Sequence, residues 1–529
     1  MVVIIVELVS GLTLARAYHN LTNRKRPMAK ALMIQATGSG AGKSLTVAAL
    51  CRIFADMGLW VAPFKSQNMA LNSYITPEGG EIGRAQALQA EAARVLPSVH
   101  MNPVLLKASG EAGVQVIVHG KVLATMSSRE YYRSKKTLWR AVEESYHQLS
   151  SSYDIIVIEG AGSPAEINLM DVDIANMAVA ELAGAAVLLV GDIDRGGVFA
   201  SLYGTLELLG RYRKYVKGFI INKFRGDLEI LKPGLDMITQ KTGVPVIGVI
   251  PWIDDIGLPE EDGLCIPRGS IQSLERFEGI KIVVLRLKYI SNFTDFDPLL
   301  YEPDVELLYS DSVVEIENAD VVIIPGSKNT VKDLLYLKQK GLIESILRAY
   351  HKGTEIVGLC GGYQMLSKKI LDPERIESTY PEVEGIGLLD IETIFNKEKI
   401  TSQVSAEPEK RQTLPYNFQG PIKGYEIHMG RTRGAVGLFR LRRLTPGREP
   451  QVVPDGSRNH NCWGTYIHGI FDNDDFRRSF INYIRQKKGL KPLQTGIVYS
   501  KMKERALNRL ADLLRDRLDI EFILRQLRL

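Results

Sequence analysis

ALMIQATGSGAGKSLTVAALC, residues 31–51, reads as an apolar strand, a glycine-rich turn and the opening turns of a helix. A short apolar run such as ALMIQA, bounded by a turn, is how a strand buried on both faces reads, and such strands belong to parallel sheets covered by helices. In the turn, Gly38, Gly40 and Gly42 let successive backbone N–H groups curl round an anion at a helix start. The peptide dipoles favour negative charge at the same place. Lys43 then supplies a cation for β- and γ-phosphates, and Ser44 a hydroxyl for Mg²⁺. The usual spelling, G-x-x-x-x-G-K-[ST], has glycine where this chain has Thr37. The strand before the turn and the helix after it carry its reading as a phosphate cradle for ATP.

The same pattern continues outward. Between residues 29 and 250, DIIVIE (154–159), AVLLVG (186–191) and GFIIN (218–222) alternate with helical spacing over 44–57, 83–96 and 136–149. This alternation predicts a three-layer α/β domain with a parallel sheet. Glu159 ends DIIVIE, where a strand would present its carboxylate to the crevice beside Ser44, so Ser44 and Glu159 are the expected metal pair. Asn222, with Lys223, follows GFIIN and is placed to meet an adenine base. Residues 251–279, rich in Pro, Gly and acidic side chains, read as a linker, and a second α/β pattern opens with IKIVVLRL and occupies 280–490. In the tail, 491–529, Leu507, Leu510, Leu514 and Leu518 recur at helical spacing. Residues 1–28 are apolar, then basic, and read as an extension upstream of a start at Met28; their apolar run, interrupted by Glu7, is too short to span a bilayer.

The second motif is GLCGGYQ, residues 358–364. Cys360 ends a β-run and precedes a helical stretch, so its sulfur is expected on a tight turn. The N–H of Gly361 can face an oxygen that becomes negative when a thiolate attacks an amide, and the IPGSKN turn around Gly326 offers a second donor. His468 in GTYIHGIFD is the natural acid for departing ammonia and base for the water that follows. A thiol and an imidazole of this kind are what releasing ammonia from glutamine requires. His428 in GYEIHMGR reads as structural or substrate-contacting. A nucleotide cradle and an ammonia source on one chain point to an amide-forming ligase.

Composition excludes other classes. A net charge of +5 on 529 residues leaves no electrostatic footprint for nucleic acid or an anionic membrane. The cysteines, at 51, 265, 360 and 462, lack C-x-x-C or paired-ligand spacing, which argues against zinc and against a disulfide framework and fits reduced thiols in the cytoplasm. A homo-oligomer is compatible with the sequence.

Several stretches resemble the cobyric acid synthase family, the glutamine-dependent amidoligases of cobalamin biosynthesis, from Met28 to the C-terminus. They are KSQNMALNSYIT (65–76), GEIGRAQALQAEA (80–92), GDIDRGGVFAS (191–201), NKFRGD (222–227), PGSKNT (325–330), GLCGGYQML (358–366), GYEIHMGR (424–431) and GTYIHGIFDND (464–474). The resemblance implies a dethiobiotin synthetase-like first half and a class I glutamine amidotransferase-like second half. It implies that carboxylates b, d, e and g of adenosylcobyrinic acid a,c-diamide are amidated in turn through acyl phosphates, with one ATP and one glutamine per cycle. Gln67, Asn68, Asn72, Glu81, Arg84, Asp192, Asp194 and Arg195 then become candidates for corrinoid or metal contacts. Class I amidotransferases place a Glu two residues after the histidine; this chain has Ile470, which implies a Cys-His dyad and slow glutamine hydrolysis. Gly40 stands where relatives of the ATP domain often carry an acid. The alternatives are an amidoligase like CTP synthase or like cobyrinic acid a,c-diamide synthase, and a partitioning-type P-loop ATPase switch with an inert amidotransferase-like appendage. The QNMALNS and GDIDRGG segments speak against a pyrimidine site, and intact Cys360 and His468 against the switch.

Overall fold

The computed structural model describes residues 28–108, 113–254, 256–258, 279–409, 414, 416, 418–447 and 449–529. The extension before Met28 and most of the expected linker, 255 and 259–278, lie outside the described residues. The first half is built on six strands: β1 (Lys30–Ala36), β2 (Val61–Phe64), β3 (Ile155–Glu159), β4 (Ala186–Asp192), β5 (Val216–Phe224) and β6 (Val246–Pro251). They pair in parallel in the order β6-β5-β4-β1-β3-β2. All five residues of β3 are buried, as its unbroken apolar run requires when both faces are covered. Pro63, which cannot donate to a ladder, sits in the edge strand β2.

Helices cover both faces. On one, Leu138, Val142, Val179 and Leu202 pack with Met33, Ile156 and Val187. On the other, the helix Lys43–Asp56 packs with Leu32, Ile34 and Val157, and Leu507, Leu510 and Leu514 of the helix Tyr499–Arg517 join the same cluster. The tail thus packs on the first half, across the second from it in sequence. Arg52, fully buried, pairs with Glu504 at 2.6 Å, and Leu518 bridges Gly248 of β6.

The second half carries its own mostly parallel sheet: β7 (Ile280–Leu285), β8 (Val305–Ser310), β9 (Val321–Ile324), β10 (Glu355–Leu359), β11 (Ser457–Asn459) and β12 (Cys462–Thr465). Its order is β8-β7-β9-β10-β12-β11, with β11 antiparallel to β12. An antiparallel sheet dominated by Ile391–Pro408 and Ile422–Gly434 lies beside it. Both halves are α/β, as the sequence predicts. The small sheet of Gln67–Met69, Val104–Ala108, Val114–Val118 and Lys121–Met126 was not evident from the pattern.

The buried tail makes a direct prediction. Leu510→Ala, at a residue 1 % exposed, should cost about 2–5 kcal/mol. Because Leu510 packs on the first sheet, nucleotide binding should weaken in step when followed by calorimetry beside a denaturant melt.

Candidate active site

At the C-terminal end of β1 the chain enters the glycine turn with Gly40 at φ +72° and Gly42 at φ +100°, a region that side chains other than glycine rarely adopt. A Cβ at Gly42 would fall 2.2 Å from Nδ2 of Asn222. That amide donates to the carbonyl of Ala41 at 2.7 Å, and its Oδ1 accepts from the N–H of Lys223 at 2.8 Å. Asn222, expected to meet the base, lies directly against the cradle. Lys43 Nζ donates across the loop to the carbonyls of Gly38 and Gly162, at 3.2 and 2.9 Å.

The expected metal pair is in contact. Ser44 Oγ donates to Glu159 Oε1 at 2.9 Å; Lys65 Nζ reaches the same oxygen at 2.7 Å, and Gln89 Nε2 reaches Oε2 at 2.6 Å. No sequence spacing marks Lys65 and Gln89, because their partner is brought near by the sheet. A hydroxyl and a carboxylate beside an open glycine loop are hard oxygen donors suited to Mg²⁺. Among the described residues no group of three or more His, Cys, Asp and Glu could hold a metal, so an ion would take its other ligands from phosphate and water. Asp192 pairs with Lys223 at 2.8 Å and Arg195 at 3.7 Å, and Asp194 with Arg225 at 3.4 Å. The Arg195 guanidinium comes within 3.4 Å of where a Cβ on Gly40 would stand, so this cluster rims the cradle.

Gln67 accepts from the Tyr131 hydroxyl, and Asn68 donates to Gln86 at 2.9 Å. Asn72, Glu81 and Arg84 face the second half. Asn72 Oδ1 accepts from the N–H of Phe293 at 3.1 Å. Glu81, 1 % exposed, lies between Lys107 at 2.8 Å and Lys399 at 2.5 Å. Arg84 lies over the Tyr74 ring and 4.0 Å from Asp472.

In the second half, Cys360 joins β10 to the helix Gly361–Met365 with φ +50° and ψ −107°, an uncommon conformation of the kind stored at functional turns. Its glycines are required by close approach: a Cβ on Gly362 would lie 1.9 Å from the Ile324 carbonyl oxygen, and one on Gly361 2.8 Å from the Ser327 nitrogen. Cys360 Sγ donates to the Ile427 carbonyl at 3.4 Å. His468, 1 % exposed, is its neighbour. The Nε2 of His468 has no hydrogen-bond partner among the described residues. Burial alone would lower the imidazole's pKa, but the Asp295 carboxylate and Cys360 outweigh it and push it up to about 10. Gly326 lies against the imidazole, its Cβ position 3.5 Å from His468 Cε1. The four predicted residues Cys360, Gly361, Gly326 and His468 thus meet.

The expected Cys-His dyad has a carboxylate in contact with its imidazole. His468 Nδ1 stands 2.6 Å from Asp295 Oδ2, and Asp295 Oδ1 accepts from the Gly469 N–H at 3.0 Å. Ile470 is fully buried apolar packing. Nothing in SNFTDFDP, 291–298, ties Asp295 to His468 by sequence spacing. His428 stacks on Tyr466 at 3.7 Å and bonds Gly430 and Glu426, a packed position.

Residues 32–264 match the CobQ/CobB/MinD/ParA nucleotide-binding domain model, and residues 281–476 the CobB/CobQ-like glutamine amidotransferase domain. The cobyric acid synthase of Thermodesulfovibrio yellowstonii is 51 % identical over 93 % of this chain and 98 % of its own. That of Thermoanaerobacter sp. is 52 % identical over the same shares, and that of Syntrophobacter fumaroxidans 46 % identical over 94 % and 98 %. The chain belongs to the cobyric acid synthase family. It is therefore an enzyme, an amidoligase of cobalamin biosynthesis with a P-loop nucleotide-binding half and a glutamine amidotransferase half. None of its described helices is long and apolar enough to cross a membrane.

The seam between the halves gives a pH prediction. Burial would raise the Glu81 carboxyl, but Lys107 and Lys399 outweigh it and hold it well below its ordinary 4.5. Because the folded value is depressed, this stabilisation is complete above the ordinary value and is lost as pH falls below it. Thermal stability should therefore drop between about pH 4 and pH 2, less steeply in Glu81→Gln. At neutral pH that variant, in which Lys107 and Lys399 lose the Glu81 charge, should lose about 3 kcal/mol in a denaturant titration.

Proposed function

We propose that this enzyme amidates the b, d, e and g carboxylates of adenosylcobyrinic acid a,c-diamide in turn, giving adenosylcobyric acid, and consumes one ATP and one glutamine per amide. A carboxylate is a poor electrophile, so its oxygen first takes the γ-phosphoryl group of ATP, and ammonia then displaces phosphate from the acyl phosphate. Lys43 and the N–H groups of Gly38 to Gly42 offset charge on the transferring phosphoryl group. Ser44 and Glu159 would hold Mg²⁺, which supplies charge neutralisation on the phosphates. Glu159 would exchange its Lys65 and Gln89 contacts for that role in part. Asn222 holds the loop in shape, and Asp192, Asp194 and Arg195 border the acceptor carboxylate. Residues 29–250 with the tail 491–529 form the ATP-handling unit, and 280–490 the glutaminase. The proposed use of ATP and glutamine fits a cytoplasmic enzyme.

In the glutaminase, Cys360, its thiol proton already passed to His468, attacks the glutamine amide carbon as the thiolate and forms a γ-glutamyl thioester as the C–N bond breaks. The N–H groups of Gly361 and the Gly326 turn face the oxygen that becomes negative. His468 gives its proton to the departing ammonia and later takes one from the water that releases glutamate. A histidine held protonated near neutrality suits the first step: it starts as the acid. The observation that carries this reading is the approach of Cys360, His468, Gly361 and the Gly326 turn to one another in the buried interior of the second half.

The test is a division of labour. Cys360→Ala should lose glutamine-driven amidation by about 10³-fold or more while amidation from added ammonium stays within a few-fold. Lys43→Ala should lose both. Products are followed by mass spectrometry as successive acid-to-amide conversions, and loss of both activities in folded Cys360→Ala would contradict the scheme.

A further inference from the structure

Asp295 grips His468 at two points. One oxygen takes the ring Nδ1–H and the other the N–H of Gly469, so both the imidazole and the backbone behind it are fixed. This leaves Nε2 as the nitrogen that turns toward Cys360. Asn292 Nδ2 lies 3.3 Å from Nδ1, but that nitrogen already donates to Asp295, so the acceptor for Nδ2 is the Tyr425 hydroxyl at 3.4 Å.

The turn Phe293–Phe296 that carries Asp295 opens with Asn292 in the left-handed region, φ +53°. Asparagine tolerates that region better than most side chains, yet it needs local bonds to stay there. Those bonds come from the ATP-handling half. The Ser73 N–H donates to Asn292 Oδ1 at 3.0 Å, and Asn72 Oδ1 accepts the Phe293 N–H at 3.1 Å. Tyr425 closes the loop by donating to the Ser73 carbonyl at 3.0 Å. Asn72, Ser73, Asn292 and Asp295 are each at most 3 % exposed, so water cannot replace these bonds.

We propose that Asp295 is the positioning carboxylate of the glutaminase and that Asn72 of the ATP-handling half, acting on the 292–293 backbone, holds it against His468. The glutaminase is thus assembled across the domain boundary and is complete only when the halves are docked. The inference rests on the reading of Cys360 and His468 given under Proposed function. The other ionisable groups facing Asp295 are Tyr309, Tyr425 and Asp472, the last opposed by Arg84; Cys360 lies across the imidazole.

The test uses the full chain with ATP and corrinoid omitted and glutamate release as the readout, so that a corrinoid contact of Asn72 cannot contribute. Asp295→Asn should lower kcat for glutamine by roughly 10²-fold with KM within about threefold, and Asp295→Glu should recover part of it. The acidic limb of the pH profile should change shape in Asp295→Asn, because the imidazolium loses its counter-ion. Asn72→Ala should cost roughly tenfold in the same kcat, and Asn292→Ala added to it should cost little more. Glutaminase within threefold of wild type in folded Asp295→Asn, or an Asn72→Ala enzyme with wild-type kcat and pH profile, overturns the proposal. Should a variant not fold, imidazole NMR of the wild-type protein decides: the proposal expects His468 to stay protonated well above neutrality, and titration near 6.5 refutes it. If Cys360→Ala still releases glutamate, the glutaminase reading itself fails; if that variant is inactive and Asp295→Asn is not, only this inference does.

Discussion

The buried pairing of Glu81 with Lys107 and Lys399 is what the two-half arrangement depends on. Lys399 comes from the long antiparallel strand of the second half, and Glu81 and Lys107 from the first. Charges this deeply buried cost several kcal/mol each when unpaired, so the seam is stable only in one register. That register has consequences at both ends. Glu81 stands just before the helix Arg84–Ala92, whose Gln89 reaches Glu159 and the Ser44 carbonyl. Nine residues of helix span about 13 Å, so one short rigid element runs from the seam to the phosphate cradle. Toward the other end, Arg84 leans on Tyr74 and Asp472, next to the turn that follows His468.

Ammonia explains why such a seam is useful. Ammonium in water is protonated and unreactive, so a ligase that makes its own ammonia gains only if the source faces the consumer through protein. Fixing the halves by buried charge, and not by an apolar surface alone, makes the relative orientation specific as well as stable. The same interface contributes Asn72 and Ser73 to the turn beside His468, which places docking and glutamine chemistry under one geometric constraint.

How much of this could be read from the sequence follows from what the sequence records. The cradle and the cysteine elbow were legible because their chemistry needs contiguous residues: glycines for backbone approach, then Lys43 and Ser44, or Cys360 with Gly361 and Gly362. Strands β1, β3, β4 and β5 were legible as apolar runs, and the edge strands β2 and β6 less so, since Pro63 and glycine interrupt their pattern. The long strands Ile391–Pro408 and Ile422–Gly434 alternate buried and exposed positions imperfectly and were submerged in an α/β reading. Leu507, Leu510 and Leu514 announced a helix but not its partner, because amphipathic spacing says which face is buried and nothing about against what. Glu81 and Arg84 look like substrate groups in isolation; only the fold supplies the lysines and the aspartate they meet.

Asp295 is the sharpest case. An orienting acid has to satisfy a distance and a direction at one imidazole nitrogen, and these are properties of space. The usual solution places it two residues after the histidine, where sequence alone can find it. With Ile470 in that position, packing takes over the local site, and the carboxylate arrives from a turn 173 positions earlier. Delivering it on a separate turn has a physical effect that a neighbouring residue could not have. A side chain two positions from His468 moves with the histidine, whereas Asp295 moves with the 292–296 turn, whose N–H and amide groups are held by Asn72 and Ser73. Any shift of the first half against the second therefore acts on the acid and the imidazole separately. At a hydrogen bond of 2.6 Å, a relative displacement of about 1 Å is enough to break it, since such contacts weaken steeply beyond the normal range.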